Sequence, residues 1–211
     1  KLKETYKNCW QEKKLCFAIM ITVLVMWVCS MISPGLIGAS LFLFVYFSWL
    51  GMLGFISLSI NDWNKNKNKL YFFTAILILV CFAVADFLKH SFSLMNILGL
   101  LLALLGGSSA FVYFKQSQAL IKRVSLSATQ ILAMRFYLTI LVMFIIIPKD
   151  TFILNFTTEN ILSLTLLALL SMIAPLYFQQ KALEKITSEQ NAIIMSLTPA
   201  VTSIIQLISF N

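Results

Sequence analysis

Seven apolar stretches, near residues 15–32, 36–60, 70–87, 94–114, 127–147, 161–178 and 191–210, set the terms for anything this chain can fold into. Each is long enough to cross the hydrocarbon core of a bilayer, which takes roughly 17–25 largely apolar residues as a helix. A layer without water obliges backbone amides to bond within their own segment, so the sequence predicts an all-α polytopic membrane protein. Composition agrees. Hydrophobic residues make up 60% of 211, charged residues 11%, and the mean hydropathy is +0.90, more apolar than a water-soluble domain tolerates.

The net charge of +8 raises the question of a nucleic-acid partner, and the distribution of the charges answers it. Lys1, Lys3, Lys7, Lys13 and Lys14 precede the first stretch; Lys65, Lys67 and Lys69 follow the second; Lys115, Lys122 and Arg123 follow the fourth; Lys181 and Lys185 follow the sixth. The alternate connections carry only Lys89 and Lys149. Such asymmetry is the positive-inside pattern; it places the first residues in the cytoplasm and Asn211 on the far side. The basic excess therefore reports topology and contact with anionic lipid heads, and no nucleic acid is expected. Lys13 and Lys14 before an apolar run imitate a signal peptide, but six further spans and no A-x-A-like site mark a retained helix. The cysteines at 9, 16, 29 and 81 show no CxxC spacing, so neither a disulfide nor a metal is implied, and no cofactor motif is present. The start at Lys1 and the stop at Asn211 directly after a span suggest a piece of a longer protein.

The connections are too short for a soluble domain, which confines any chemistry to the helices. "SPG" (33–35) predicts a tight external turn, with Pro34 ending one helix and Gly35 supplying φ > 0. On the last stretch Asn191, Met195, Thr198, Thr202, Gln206 and Ser209 fall on one helical face. Such a stripe reads either as interhelical hydrogen bonding, worth about 0.6 kcal/mol per pair in membranes, or as the wall of a hydrated pathway. Pro199 in its middle predicts a freed carbonyl at Met195 on that face. The fourth stretch pairs a small-residue strip (Gly99, Ala103, Gly106, Gly107, Ala110) with polar groups at Ser109, Tyr113 and Gln116. Gly106–Gly107 reads as a packing device or a hinge. On the sixth, Pro175 interrupts the ladder at Ser171, and Tyr177 and Gln179 enter the cytoplasmic side.

Arg135 poses the sharpest question. A charge near mid-bilayer costs about 2.5–3.5 kcal/mol even on the lenient insertion scale. If its helix starts near Ser127, the residue lies about 12 Å inward. Two readings are open: the side chain snorkels back to the headgroups, or it points inward to meet an anionic ligand group, with Thr139 one turn further on.

"NILGLLLALLGGSSAFVYFKQSQALIKR", "SATQILAMRFYLTILV" and "LLSMIAPLYFQQKALEKITSEQNAIIMSLTPAVTSIIQLISF" resemble the EamA branch of the drug/metabolite transporter superfamily over about residues 96–211. The features shared are a Gly/Ala-rich helix, then an R-x-x-x-small pattern (Arg135 to Thr139), an aromatic with an "AL" pair, and a helix with a central proline. Residues 31–44 and 186–199 overlay at an offset of 155 as a short turn entering a helix. The resemblance implies an inverted five-plus-five repeat, with 1–93 holding about three helices of the first repeat and 94–211 about four of the second. Phe44 stands where many relatives have a helix proline, which leaves the first half more to packing than to ligand contact.

The resemblance implies a transporter in a cell membrane, a bacterial inner membrane, that exports or exchanges a small amino-acid-like metabolite by alternating access. A central cavity is expected from Ser109, Tyr113, Arg135, Tyr177, Asn191, Thr198 and Thr202, with Trp27 as an aromatic wall and flexing at Pro175 and Pro199. Partners are the small-molecule substrate and membrane lipid; the oligomeric state is left open. An enzyme is not expected, since the only histidine, His90, lies in a loop and no HExxH or paired-acid constellation exists. The alternative is a non-transporting membrane scaffold or subunit.

Overall fold

The computed structural model describes residues 10–61, 93–146 and 158–202. They form α1 (Lys13–Ile37), α2 (Ala39–Asn61), α3 (Leu94–Val124), α4 (Ala128–Arg135), α5 (Tyr137–Ile146), α6 (Thr158–Leu167), a π-helical segment Ala168–Ile173, α7 (Ala174–Ala182) and α8 (Ser188–Met195), with no strand among the described residues. Among the described residues, five helical runs are long and apolar enough to span a membrane: Lys13–Ile37, Ala39–Leu58, Leu94–Val124, Ala128–Ile146 and Ile161–Ala182. The chain is thus an all-α polytopic membrane protein. The expected span at 70–87 lies outside the described residues, and the last is described only as far as Thr202.

Three boundaries differ from expectation, each for a local reason. No turn forms at residues 33–35: α1 carries Pro34 inside it and runs on to Ile37. The break falls at Gly38, whose φ of 84° only glycine adopts without strain, and whose amide donates to the Pro34 carbonyl at 2.9 Å. The turns opening α2 and α8 are therefore Gly38 and Thr187, which the overlay at offset 155 does not superpose. Next, α3 continues ten residues past the expected end at 114. Its 31 residues span about 46 Å at 1.5 Å each, against about 30 Å of hydrocarbon; its last turns therefore project into the headgroup zone, with Lys122 and Arg123 at the C-terminal end that favours cations. Finally, the fifth stretch is interrupted at Phe136, between α4 and α5.

The described chain gathers into two compact units. One holds residues 10–24, 116–146 and 158–186, the other 25–61, 93–115 and 187–202. In the second unit α3 is two-faced. Leu94, Leu98, Leu101, Leu105 and Val112 are exposed, while Gly99, Ala103, Gly106, Gly107 and Ala110 are buried. As far as Ala110 the leucines face outward and small residues face protein, as expected where lipid removes any hydrophobic drive between helices and close packing must hold them; beyond it Phe111, Tyr113 and Phe114 are buried as well.

Glycine decides how close they come. A Cβ on Gly107 would stand 2.9 Å from the Tyr46 carbonyl oxygen and 3.2 Å from Trp49, so α3 rests on the backbone of α2. A Cβ on Gly54 would meet the Glu189 carbonyl oxygen at 2.8 Å and the Ala192 Cβ at 2.9 Å, which brings α2 equally close to α8. Because α3 passes through Gly106–Gly107 without interruption, the pair serves packing rather than bending. Two hydrogen bonds tie α3 to its neighbours: Ser33 Oγ on α1 donates to the Gly99 carbonyl at 2.7 Å, and Trp49 Nε1 on α2 to Ser108 Oγ at 2.8 Å.

Replacing Gly107 with alanine is expected to cost roughly 1–3 kcal/mol by overpacking and to lower the unfolding midpoint in detergent. Gly35→Ala is the control, since its Cβ would meet nothing within 4 Å. Equal responses from the two variants would refute a tight α2–α3 approach.

Candidate functional site

In the first unit the site is built from the start of α4 and the end of α7. Ser127 precedes α4 with extended backbone, and its amide donates to Gln130 Oε1 at 2.8 Å, a capping box that starts the helix. The next amide, of Ala128, donates to Glu184 Oε1 at 2.9 Å, and α7 packs against α4. Lys181 Nζ lies 2.6 Å from Glu184 Oε2. That carboxyl is held below the ordinary value of 4.5, first by the Lys181 hydrogen bond and then by the Ala128 amide.

The same junction sets the depth of Arg135 and Tyr177. Arg135 lies seven residues into α4 from Ala128, and Tyr177 seven residues back from Glu184. Both therefore sit about 10 Å from the same bond, at 1.5 Å per residue. Arg135 is 0% exposed, so it does not snorkel along its helix to a surface; protein encloses it. Its guanidinium carbon lies 4.6 Å from the centre of the Phe136 ring, in cation–π range, and Phe136 is the residue that interrupts the helix (φ −89°, ψ −7°). Thr139, at the other end of the R-x-x-x-small pattern, is buried, and its hydroxyl has no hydrogen-bond partner. Tyr177 is 37% exposed and packs edge-on to Phe178.

Sequence reasoning singles out Gln179 beside Tyr177, but the buried glutamine is Gln180. It also misses Ser117, which is fully buried with its hydroxyl unpartnered. Both sit among residues whose helical phase shows only once the packed neighbours are known. Just before Pro175 the helix widens to the π form, the Ala174 amide reaching back to the Leu169 carbonyl. The missing proline N–H is thus absorbed by a local distortion at the place expected to flex.

The second unit holds Trp27, Ser109, Tyr113, Asn191, Thr198 and Thr202. Trp27 is half-buried, whereas Ser109 and Tyr113 are buried on α3. Thr187 caps α8 reciprocally with Gln190, at 3.2 and 3.1 Å. Both caps follow an S/T-x-x-Q spacing that is legible in the sequence. One turn into α8, Asn191 is 3% exposed and its amide nitrogen has no hydrogen-bond partner, a costly arrangement that a bound polar group would relieve. The carbonyl that Pro199 is expected to leave free at Met195 is instead taken by Thr198 Oγ1 at 2.7 Å. Thr202 Oγ1 likewise donates to the Thr198 carbonyl at 2.8 Å. Half-buried hydroxyls thus satisfy their own helix around the turn at Ser196–Leu197. Gln206 and Ser209 lie outside the described residues.

A further network joins α2, α3 and α8. Lys115 Nζ donates to Ser57 Oγ at 2.9 Å and lies 3.7 Å from Glu189 Oε1; Ser57 Oγ donates to the same oxygen at 3.2 Å, and Ser188 Oγ to Glu189 Oε2 at 3.0 Å. Burial pushes the Glu189 carboxyl up, and its own amide, the Ser188 and Thr187 hydroxyls and the Lys115 charge outweigh it, leaving it below 4.5. In the sequence Lys115 reads only as a topology signal. No group of three or more His, Cys, Asp or Glu suited to a metal occurs among the described residues.

Set against known families, the chain matches the model of the EamA-like transporter family over residues 99–211. No curated protein and no solved structure matches it.

The Glu184 junction makes a pH prediction. A carboxyl depressed in the folded state contributes stability above its unfolded value, and that contribution is lost as pH falls through the folded one. Wild-type protein in detergent is therefore expected to lose stability as pH drops below about 4.5, and Glu184→Gln to be less stable at pH 7 with a flatter acid limb. Parallel curves from pH 7 to 3 would refute the junction.

Proposed function

Because the chain belongs to the EamA-like transporter family and is a multi-pass membrane transporter of the drug/metabolite type, we propose that it exports or exchanges a small amino-acid-like metabolite by alternating access. Arg135 is the group that recognises the cargo's carboxylate, and its enclosure carries this reading. A guanidinium held about 10 Å into a span, away from headgroup phosphates, is costly to keep there, and a carboxylate cargo gives that cost a use. The unpartnered hydroxyl of Thr139, one turn on, suits a second oxygen of the same group. Tyr177 at the depth of Arg135 supplies a half-exposed aromatic face, and Asn191 an amide donor in its own unit.

Within the second unit, Ser109, Tyr113, Trp27, Thr198 and Thr202 are proposed as cargo-contacting residues. The π-helical turn before Pro175 and the broken helix before Pro199 are proposed as the flexing points of an inverted-repeat carrier, with residues 1–93 and 94–211 as parts of its repeats. The lysine asymmetry supports a cytoplasmic start, and a bacterial inner membrane is the proposed location.

Proteoliposome uptake tests the reading. With radiolabelled amino acids and related metabolites as cargo, Arg135→Gln is expected to reduce carboxylate transport about 10–100-fold, the worth of a charged hydrogen bond. Arg135→Lys should restore part of it, because a point charge replaces a bidentate fork. Both variants must remain monodisperse with wild-type helicity. Unchanged carboxylate uptake in folded Arg135→Gln would refute the assignment.

A further inference from the structure

We propose that the end of the first unit where α1 begins and where α3 and α7 end is a binding surface for the headgroups of anionic phospholipids. Three helix ends are tied together there. Arg123 Nη1 on the last turn of α3 lies 3.6 Å from Glu12 Oε1, just before α1. Gln118 Nε2 on α3 donates to the Ile186 carbonyl at 2.9 Å, beyond α7. The Glu184 carboxylate closes the group by accepting from the Ala128 amide.

The tying collects charge of one sign. Lys13, Lys14, Lys122, Arg123, Lys181 and Lys185 are all exposed, against only Glu12 and Glu184 among the described residues at this end. Arg123 engages Glu12 and Lys181 engages Glu184. Lys13, Lys14, Lys122 and Lys185 enter no ion pair among the described residues. Four ammonium groups with no ion pair among the described residues, Lys185 in the field of the Glu184 carboxylate, stand on the ends of spanning helices at the headgroup layer, where negative phosphates are the available counter-charge.

A soluble anion would be met equally by the lysines, but the aromatic neighbour favours lipid. Trp10 is 75% exposed, one turn before Lys13, whose ammonium lies 5.6 Å from the ring centre. An exposed indole beside a cation suits the bilayer interface, with its ring among glycerol and upper acyl groups and its N–H in water. The surface is independent of the transport reading, since none of these residues is placed in the cargo site.

Purified protein in a neutral detergent, titrated with dioleoyl phosphatidylglycerol or dioleoyl phosphatidylcholine while thermal unfolding is followed, provides the test. Phosphatidylglycerol is expected to raise the wild-type midpoint and phosphatidylcholine not to. The variant Lys13→Gln/Lys14→Gln/Lys122→Gln/Lys185→Gln should keep the lipid-free midpoint and lose the rise, its apparent affinity falling about fivefold per lysine. The proposal is overturned if phosphatidylcholine stabilises equally, if glycerol phosphate reproduces the effect, or if the quadruple variant still responds like wild type.

Discussion

Close approach of helix backbones across glycine is the contact on which the second unit rests. Between helices in hydrocarbon, burying a leucine gains little, because lipid is as apolar as the leucine it replaces. What remains is dispersion at short range and hydrogen bonding in a low dielectric, and both need the backbones near one another. Gly107 against the Tyr46 carbonyl and Gly54 against the Glu189 carbonyl meet that need on successive helix pairs, α3 on α2 and α2 on α8. The Trp49 and Ser57 hydrogen bonds connect the same helices, and the Ser33 bond ties α1 to α3 beside them. Glycine costs helix propensity in water, but where adjoining backbones nearly touch, its lack of a Cβ permits the contact.

How far this is legible in the sequence depends on the range of the interaction concerned. Apolar length and lysine distribution are properties of the chain itself, and they mark the helices seen at Lys13–Ile37, Ala39–Asn61 and Leu94–Val124. The small-residue strip from Gly99 to Ala110 is equally readable, because its phase on one helix is set by sequence alone. Pro34 misleads, since a proline takes priority over a glycine four residues later. In a long apolar helix a missing amide is tolerated, whereas Gly38 alone offers the left-handed turn that reverses the chain. The capping boxes at Ser127 and Thr187 are present as local spacings and are easily passed over beside the louder hydropathy signal.

The site is less legible than the fold, for a physical reason. Whether Arg135 snorkels depends on which surfaces surround the fifth span, and those come from residues far along the chain, such as the end of α7. Gln180 and Gln179 are chemically identical and adjacent; only the packed neighbour decides which is buried. The Lys115–Ser57–Glu189 network joins residues up to 132 positions apart, and no periodicity within one helix announces it.

The polar stripe on the last helix shows how a membrane helix manages a proline. Removing an amide at Pro199 leaves a carbonyl to satisfy where water is scarce, and an unsatisfied acceptor there costs several kcal/mol by the reckoning that confines spanning segments to helices and barrels. Thr198 satisfies it from the adjacent position, and Thr202 repeats the bond one turn later. The interruption at Ser196–Leu197 is therefore stabilised by side chains of the same helix, which need no partner on another helix. Asn191 differs from both threonines: it is more deeply buried, sits before the interruption, and its side-chain nitrogen is not engaged by its own helix. On one stripe, then, the threonines serve the backbone and Asn191 does not, because a hydroxyl can reach back one turn to a carbonyl while the Asn191 amide donates to none.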